Sequence, residues 1–381
     1  MCETPADSTL LNERSPLTRE RGRVKALITG SAGLIGSACV GALISRGWEV
    51  IGIDNDMRQQ FFGPAGSTAA VVASLKDQFR YYRHIHADIR DRQLVRDAVA
   101  EHRPDFIIHT AAQPSHDLAA KIPYDDFDVN AVGTLNVLVA ARDFCPEAPF
   151  CFTSTNKVYG DRPNWLPMVE HATRYDYADG LLAIDETMSI DACLHSLFGA
   201  SKVAADVLAQ EFGRYFNMPI GIFRCGCLTG PQHAAVELHG YLAYIVACAL
   251  SGREYTIFGY KGKQVRDQIH CDDVARLFLD FFSNPRNGEV YNLGGGRENS
   301  LSILETIDIL ERMGHPLKYQ LGDNNRIGDH ICYISDLEKI RSHFPAWKIE
   351  YDLQRCIDEV VRLQDSRLRG GQYVFTPATS I

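Results

Sequence analysis

The chain has 381 residues, 45% hydrophobic and 23% charged, enough to bury a large core in one or two domains of an ordinary soluble protein. Its net charge of −9 argues against a broad nucleic-acid or anionic-membrane surface, so an anionic ligand would need locally placed Lys and Arg. The eleven cysteines offer only one close pair, Cys225-Gly226-Cys227, with no second pair or His-x-x-x-His, so no metal is expected and a reducing cytoplasm is.

Residues 1–22 are polar and charged, lack the apolar stretch of a signal peptide, and read as a flexible tail. An apolar run at 24–28 then reads as a buried parallel strand. Thr29-Gly30-Ser31-Ala32-Gly33-Leu34-Ile35-Gly36 follows it, and a helical pattern with Ile35, Val40, Leu43 and Ile44 follows that. Strand, glycine turn and helix in this order make a pyrophosphate site. Gly30 permits the tight turn, Gly33 lets the backbone approach phosphate, and Gly36 lets helix and strand pack closely, with the amides of Ala32, Leu34 and Ile35 nearby. The next strand, 50–53, ends in Asp54-Asn55, where an acid would bind the ribose hydroxyls. No Arg directly follows to take a 2′-phosphate, the nearest being Arg58, so the spacing predicts NAD rather than NADP.

Residues 55–79 read as a loop and a short helix. A third strand covers 81–87 and enters Asp88-Ile89. A fourth covers 105–110 and enters Ala111-Ala112-Gln113-Pro114. A helix is expected over 127–144, a fifth strand over 150–154, a long insertion over 161–194, a helix over 196–216 and a sixth strand over 220–225. These elements predict a doubly wound α/β fold, with a Rossmann-type parallel sheet over 23–235. After Pro231 helices near 238–250, 272–283 and 301–313 mix with short strands. Residues 236–381 are therefore expected to supply mainly a smaller mixed α/β domain that covers the nucleotide end of a substrate. The apolar run around 244–250 is too short to span a bilayer, and no membrane association is expected.

The ordered series Gly30/Gly33/Gly36, Asp54-Asn55, Asp88-Ile89, Ala111-Ala112, Asn130-Ala131-Val132-Gly133-Thr134, Val158-Tyr159-Gly160, Ser201-Lys202, Phe223-Arg224, Gly230-Pro231, Arg266-Asp267 and Arg326-Ile327-Gly328-Asp329 resembles the extended short-chain dehydrogenase/reductases that modify nucleotide sugars. The resemblance runs over nearly the whole chain. It implies NAD held by Gly30, Ala32, Gly33, Leu34, Ile35, Gly36, Asp54, Asn55, Asp88, Ile89, Ala111, Ala112, Gln113, Asn130 and Lys202. It also implies a CDP-, UDP- or GDP-linked sugar held by Thr155, Asn156, Lys157, Arg224, Arg266 and Arg326, and a homodimer paired through the helices near 127–144 and 196–216.

Within that family the 4,6-dehydratases carry Asp-Glu directly after the catalytic Thr, because eliminating water needs an acid and a base. Here those positions are Asn156 and Lys157, so dehydration is disfavoured. The run Ser154-Thr155-Asn156-Lys157-Val158-Tyr159-Gly160-Asp161 is instead similar to the CDP-paratose (CDP-tyvelose) 2-epimerases, as are Thr173-Arg174-Tyr175 and Gly262-Lys263-Gln264-Val265-Arg266-Asp267. That similarity implies epimerisation by transient oxidation to a keto sugar and re-reduction. Two alternatives stand beside it: oxidation at C4 with epimerisation at C3 or C5 by enolisation, and a non-catalytic protein that binds NAD and a nucleotide sugar.

One departure bears on mechanism. The family's Tyr-x-x-x-Lys stands here as Phe198-Gly199-Ala200-Ser201-Lys202. Phenylalanine cannot exchange a proton, while Lys202 shares the helix face of Phe198 and Thr155 is expected to hydrogen-bond the reacting hydroxyl. Three readings stay open: another group serves as base, with Tyr175, Tyr177, His195 and Lys157 as candidates; the residue is a Tyr-to-Phe substitution that traps substrate; or catalysis is lost.

Overall fold

The computed structural model describes residues 22–233, 235–236, 240–322 and 328–370. All but the last residue of the expected tail therefore lies outside the described residues, as does Arg326.

Seven parallel strands form the main sheet: β1 (Lys25–Thr29), β2 (Glu49–Ile53), β3 (Tyr82–Ile85), β4 (Phe106–His109), β5 (Phe150–Thr155), β6 (Ile220–Cys225) and β7 (Glu289–Leu293), in the order β7-β6-β5-β4-β1-β2-β3. This is a doubly wound Rossmann-type sheet whose order reverses beside β1. Buried on both faces, the centre of β1, Ala26-Leu27-Ile28, is apolar without alternation. Its alternate residues still serve different layers: Ala26 and Ile28 join one core with Val40, Leu43 and Phe278, while Leu27 joins the other with Ile107, Leu138 and Ala205.

Helix α1 (Leu34–Ile44) is buried from Ile35 to Leu43 because it lies between the sheet and the helix Cys271–Ser283. Helices α2 (Arg92–His102), α3 (Gly133–Phe144) and α4 (Ser196–Tyr215) cover the opposite face. The expected helix over 127–144 is two pieces, with one wide turn, Asp128–Val132, leading into α3. The insertion 161–194 holds a short antiparallel hairpin, Met168–Glu170 against Tyr175–Tyr177.

The rest of the chain builds a mixed unit. Val265–His270 pairs parallel with Cys227–Thr229 and Cys332–Tyr333, and antiparallel with Ser300–Ser302. Helices Tyr241–Ser251, Ile303–Arg312 and Leu353–Leu368 enclose a third core around Ile245, Ile307 and Val360. Strand β7 comes from the part of the chain beyond residue 235, and pairing it with β6 buries Val290, Tyr291 and Leu293 and covers the apolar edge of β6. Among the described residues no helix is long and apolar enough to cross a membrane.

Candidate functional site

A continuous cleft of about 750 Å³ runs along the C-terminal ends of β1, β2, β4, β5 and β6 and reaches into the mixed unit. Its first end is shaped by main chain. Gly30 has φ +68°, and a Cβ there would lie 2.8 Å from the Ala111 nitrogen. A Cβ on Gly36 would lie 2.1 Å from the Gly30 carbonyl oxygen, so the first turn of α1 can sit against the strand only as glycine. Gly33 caps α1, and the cleft wall there is Gly33, Leu34 and Ile35. Asp54 is fixed to this turn: one oxygen accepts from the Ala32 N–H at 3.1 Å and the other from the Asp56 N–H at 2.9 Å.

Asn55, Asp88, Ile89, Ala111 and Ala112 also line the cleft. Gln113, Asn130 and Gly36 lie behind its wall. The Gln113 N–H donates to Asn130 Oδ1 at 3.0 Å, and Asn130 Nδ2 donates to Ser201 Oγ and Asp126 at 3.1 Å each. These two side chains fix the loop after β4 against α4. The glycines leave room for backbone to meet a pyrophosphate, the helix N-terminus offers amides, and Asp54 presents a carboxylate, so the residues fit NAD. Arg58 lines the same end but faces the carboxylates of Asp54 and Asp56, an acidic setting unsuited to a 2′-phosphate.

At the far end Thr155 terminates β5, and its hydroxyl accepts from the Lys157 N–H at 3.2 Å, capping the next turn. Phe198 and Lys202 face the cleft from one side of α4. Lys202 Nζ donates to the Thr153 carbonyl at 2.9 Å and sits 4.4 Å from the Phe152 ring centroid. Burial pushes this ammonium down to about 8, against the opposing influence of Cys225, Asp206 and Asp126.

Lys157 Nζ donates to Asp329 Oδ1 at 2.9 Å and to the Gly328 carbonyl at 3.2 Å, and Arg266 Nη2 donates to the same carboxylate oxygen at 2.6 Å. Burial alone would raise the Asp329 carboxyl, but Arg266 and Lys157 together hold it well below the usual range. This trio brings β5, the strand Val265–His270 and the loop before Cys332 to one point.

Several expected site residues lie elsewhere. Arg224 is not on the cleft: its guanidinium grips buried Asp206 at 2.9 and 3.1 Å and donates to the Tyr159 hydroxyl at 3.2 Å, pinning α4 to β6. Tyr177 is buried under the hairpin and donates to the Cys332 carbonyl at 3.1 Å, and Tyr175 donates to Glu170 at 3.1 Å on the outer side. His195 Nε2 donates to the Val158 carbonyl at 2.9 Å. Neither tyrosine nor His195 reaches the cleft. His116, which the sequence reading passed over, does reach it, beside Phe198. Its signal was the run Gln113-Pro114-Ser115-His116-Asp117 directly after a strand that ends in a ligand crevice.

The family model described as "NAD dependent epimerase/dehydratase family" matches residues 26–294. Over 326 residues the chain is 31% identical to CDP-paratose 2-epimerase of Salmonella typhi, covering 83% of this chain and 92% of that one. It is 29% identical over 334 residues to dTDP-glucose 4,6-dehydratase 1 of Escherichia coli K12, covering 80% and 86%. Among solved structures, UDP-glucose 4-epimerase of Thermotoga maritima with UDP-glucose superimposes with TM-score 0.74 at 25% identity, covering 91% of this chain and 100% of that one. UDP-glucose 4-epimerase of Thermus thermophilus in complex with NAD gives 0.71 at 26%, covering 90% and 99%.

Proposed function

The chain belongs to the NAD dependent epimerase/dehydratase family, and from that premise we propose that it inverts one carbon of a nucleotide-diphosphate sugar, in the manner of a 2-epimerase, with NAD as its resident cofactor. The observation that carries this reading is the pair after Thr155. Asn156 has no acid to give, and Lys157 is held by Asp329, so neither position supplies the carboxylic acid that dehydration needs.

NAD, when bound, supplies a hydride acceptor and donor. The chain's own residues do the rest. The glycine turn and Asp54 hold the pyrophosphate and adenosine ribose. Thr155 hydrogen-bonds the reacting hydroxyl. Lys202 keeps the site electropositive and stabilises the oxyanion that develops there. Arg266, with Arg326, takes the diphosphate, for which a planar guanidinium suits paired oxygens and lets an acidic protein hold an anionic substrate.

The test is an NMR screen of CDP-, UDP- and GDP-sugars in deuterated solvent. The expected product is the inverted sugar with no deuterium on carbon. Deuterium at C3 or C5 assigns the enolising route instead. NAD retained with every sugar unchanged assigns the binding protein that Phe198 alone would favour.

We further propose a cytoplasmic homodimer. Free thiols at all described cysteines support the reducing compartment. Exposed Phe127, Val207, Tyr215 and Phe216 on and beside α3 and α4 support pairing through those helices. A monomer in sedimentation at micromolar concentration overturns the dimer.

A further inference from the structure

Phe198 leaves the reacting hydroxyl without the phenol that the family resemblance expects, and the cations around it are already engaged. Lys202 donates to Thr153, Lys157 donates to Asp329 and Gly328, and Arg266 donates to Asp329. His116 differs. It opens the turn His116–Ala119 at the C-terminal end of β4, and the hydroxyl of buried Ser115 accepts from the Leu118 N–H at 3.2 Å. The Ser115 N–H donates to Gln113 Oε1 at 2.5 Å, and Gln113 Nε2 donates to Asp126 at 2.7 Å. A buried network thus fixes the backbone from which His116 projects.

The His116 ring packs edge-on to Phe198 with centroids 6.3 Å apart. Nδ1 lies 3.9 Å from Asp117 Oδ1, and Asp126 is a further charged group close enough to feel the ring. Nε2 is shielded from water and has no hydrogen-bond partner among the described residues. It faces Gly328, where a Cβ would begin only 2.9 Å away, and the carbonyl of that glycine receives Lys157. A shielded ring nitrogen without a partner is costly, and a bound hydroxyl would offset that cost.

We propose that His116 is the acid–base residue for the reacting sugar hydroxyl, in place of the group that Phe198 lacks. This rests on the nucleotide-sugar reading above. In the oxidising direction the sugar O–H bond breaks, an Nε2–H bond forms, and the imidazole becomes an imidazolium. In the return direction Nε2 gives the proton back to the same oxygen, so no proton is gained or lost over the cycle. The redox half stays with NAD, and no further reactant is needed.

The test compares wild-type holoenzyme with His116→Gln, Phe198→Tyr and the double variant on the sugar found in the NMR screen. His116→Gln is expected to lower turnover by about 10²–10⁴-fold, with NAD content and melting temperature retained. Adding Phe198→Tyr to His116→Gln is expected to restore turnover at least about tenfold, a rescue that a merely structural histidine would not show. Unchanged turnover in His116→Gln overturns the proposal, as does a double variant no faster than His116→Gln. So does a silent wild type that Phe198→Tyr switches on. If wild type and Phe198→Tyr both leave every sugar unchanged, the nucleotide-sugar epimerase reading has failed on its own. The histidine is then judged by nitrogen NMR of the holoenzyme with added CDP-glucose: a shifted Nε2 resonance upholds its place at the sugar, and an unmoved one overturns it.

Discussion

At its glycine end the cleft is walled by main chain and by an aspartate tied to backbone N–H groups, whereas its far end is walled by Lys157, Lys202, Arg266 and Asp329, drawn from four separate segments. The first end is a matter of shape: a turn that admits only glycine lets main chain meet its ligand. The second is a matter of charge balance, in which each cation owes its state to burial and to a partner. Substitutions at the two ends should therefore fail differently, one through fit and the other through protonation.

The largest effect is expected at Lys202. Lys202→Ala should lower turnover by about 10²–10⁴-fold while the protein still folds, as measured by NMR of the sugar product. The same residue gives a pH signature. An unfolded lysine titrates at about 10.4. The folded one titrates at about 8, so between these values the unfolded chain binds more protons and stability rises with pH. Lys202→Met should flatten that rise by up to about 1.4 kcal/mol per pH unit, seen in denaturant titrations from pH 7.5 to 9.5.

Arg224→Met should cost about 3–5 kcal/mol of stability by leaving Asp206 buried and unpaired, with KM for the sugar unchanged in the protein that remains folded. A raised KM at full stability would return Arg224 to the substrate. At the glycine end, Gly36→Ala should cost roughly 1–3 kcal/mol and release NAD, detected by cofactor extraction, with no change in the pH dependence of what activity remains. The smallest effects are expected in the hairpin. Tyr177→Phe should cost about 1 kcal/mol through its lost bond to Cys332, and Tyr175→Phe should leave stability and turnover as they are.

The glycine end was legible in the sequence because its logic is local: Gly30, Gly33, Gly36 and Asp54 lie within one strand–helix–strand unit, and spacing alone states the geometry. The alternation of apolar strands and amphipathic helices likewise announced the sheet. The far end was read less well because its partners are distant. Arg224 looks like a ligand for phosphate until Asp206 on α4 is seen against it, and Tyr177 looks available until the strand Cys332–Tyr333 covers it. His116 gains its meaning only from Phe198, which α4 brings beside it.

The late arrival of β7 has a consequence for how the chain is made. Strand β6 is complete when residue 225 leaves the ribosome, but the strand that covers its outer edge ends at Leu293. In the interval an edge bearing Ile220 and Ile222 stands open to any passing strand, including that of a neighbouring nascent chain. Fragments that stop near residue 235 should thus aggregate rather than fold. In the intact protein the returning segment seals that edge and docks the helix Cys271–Ser283 on α1.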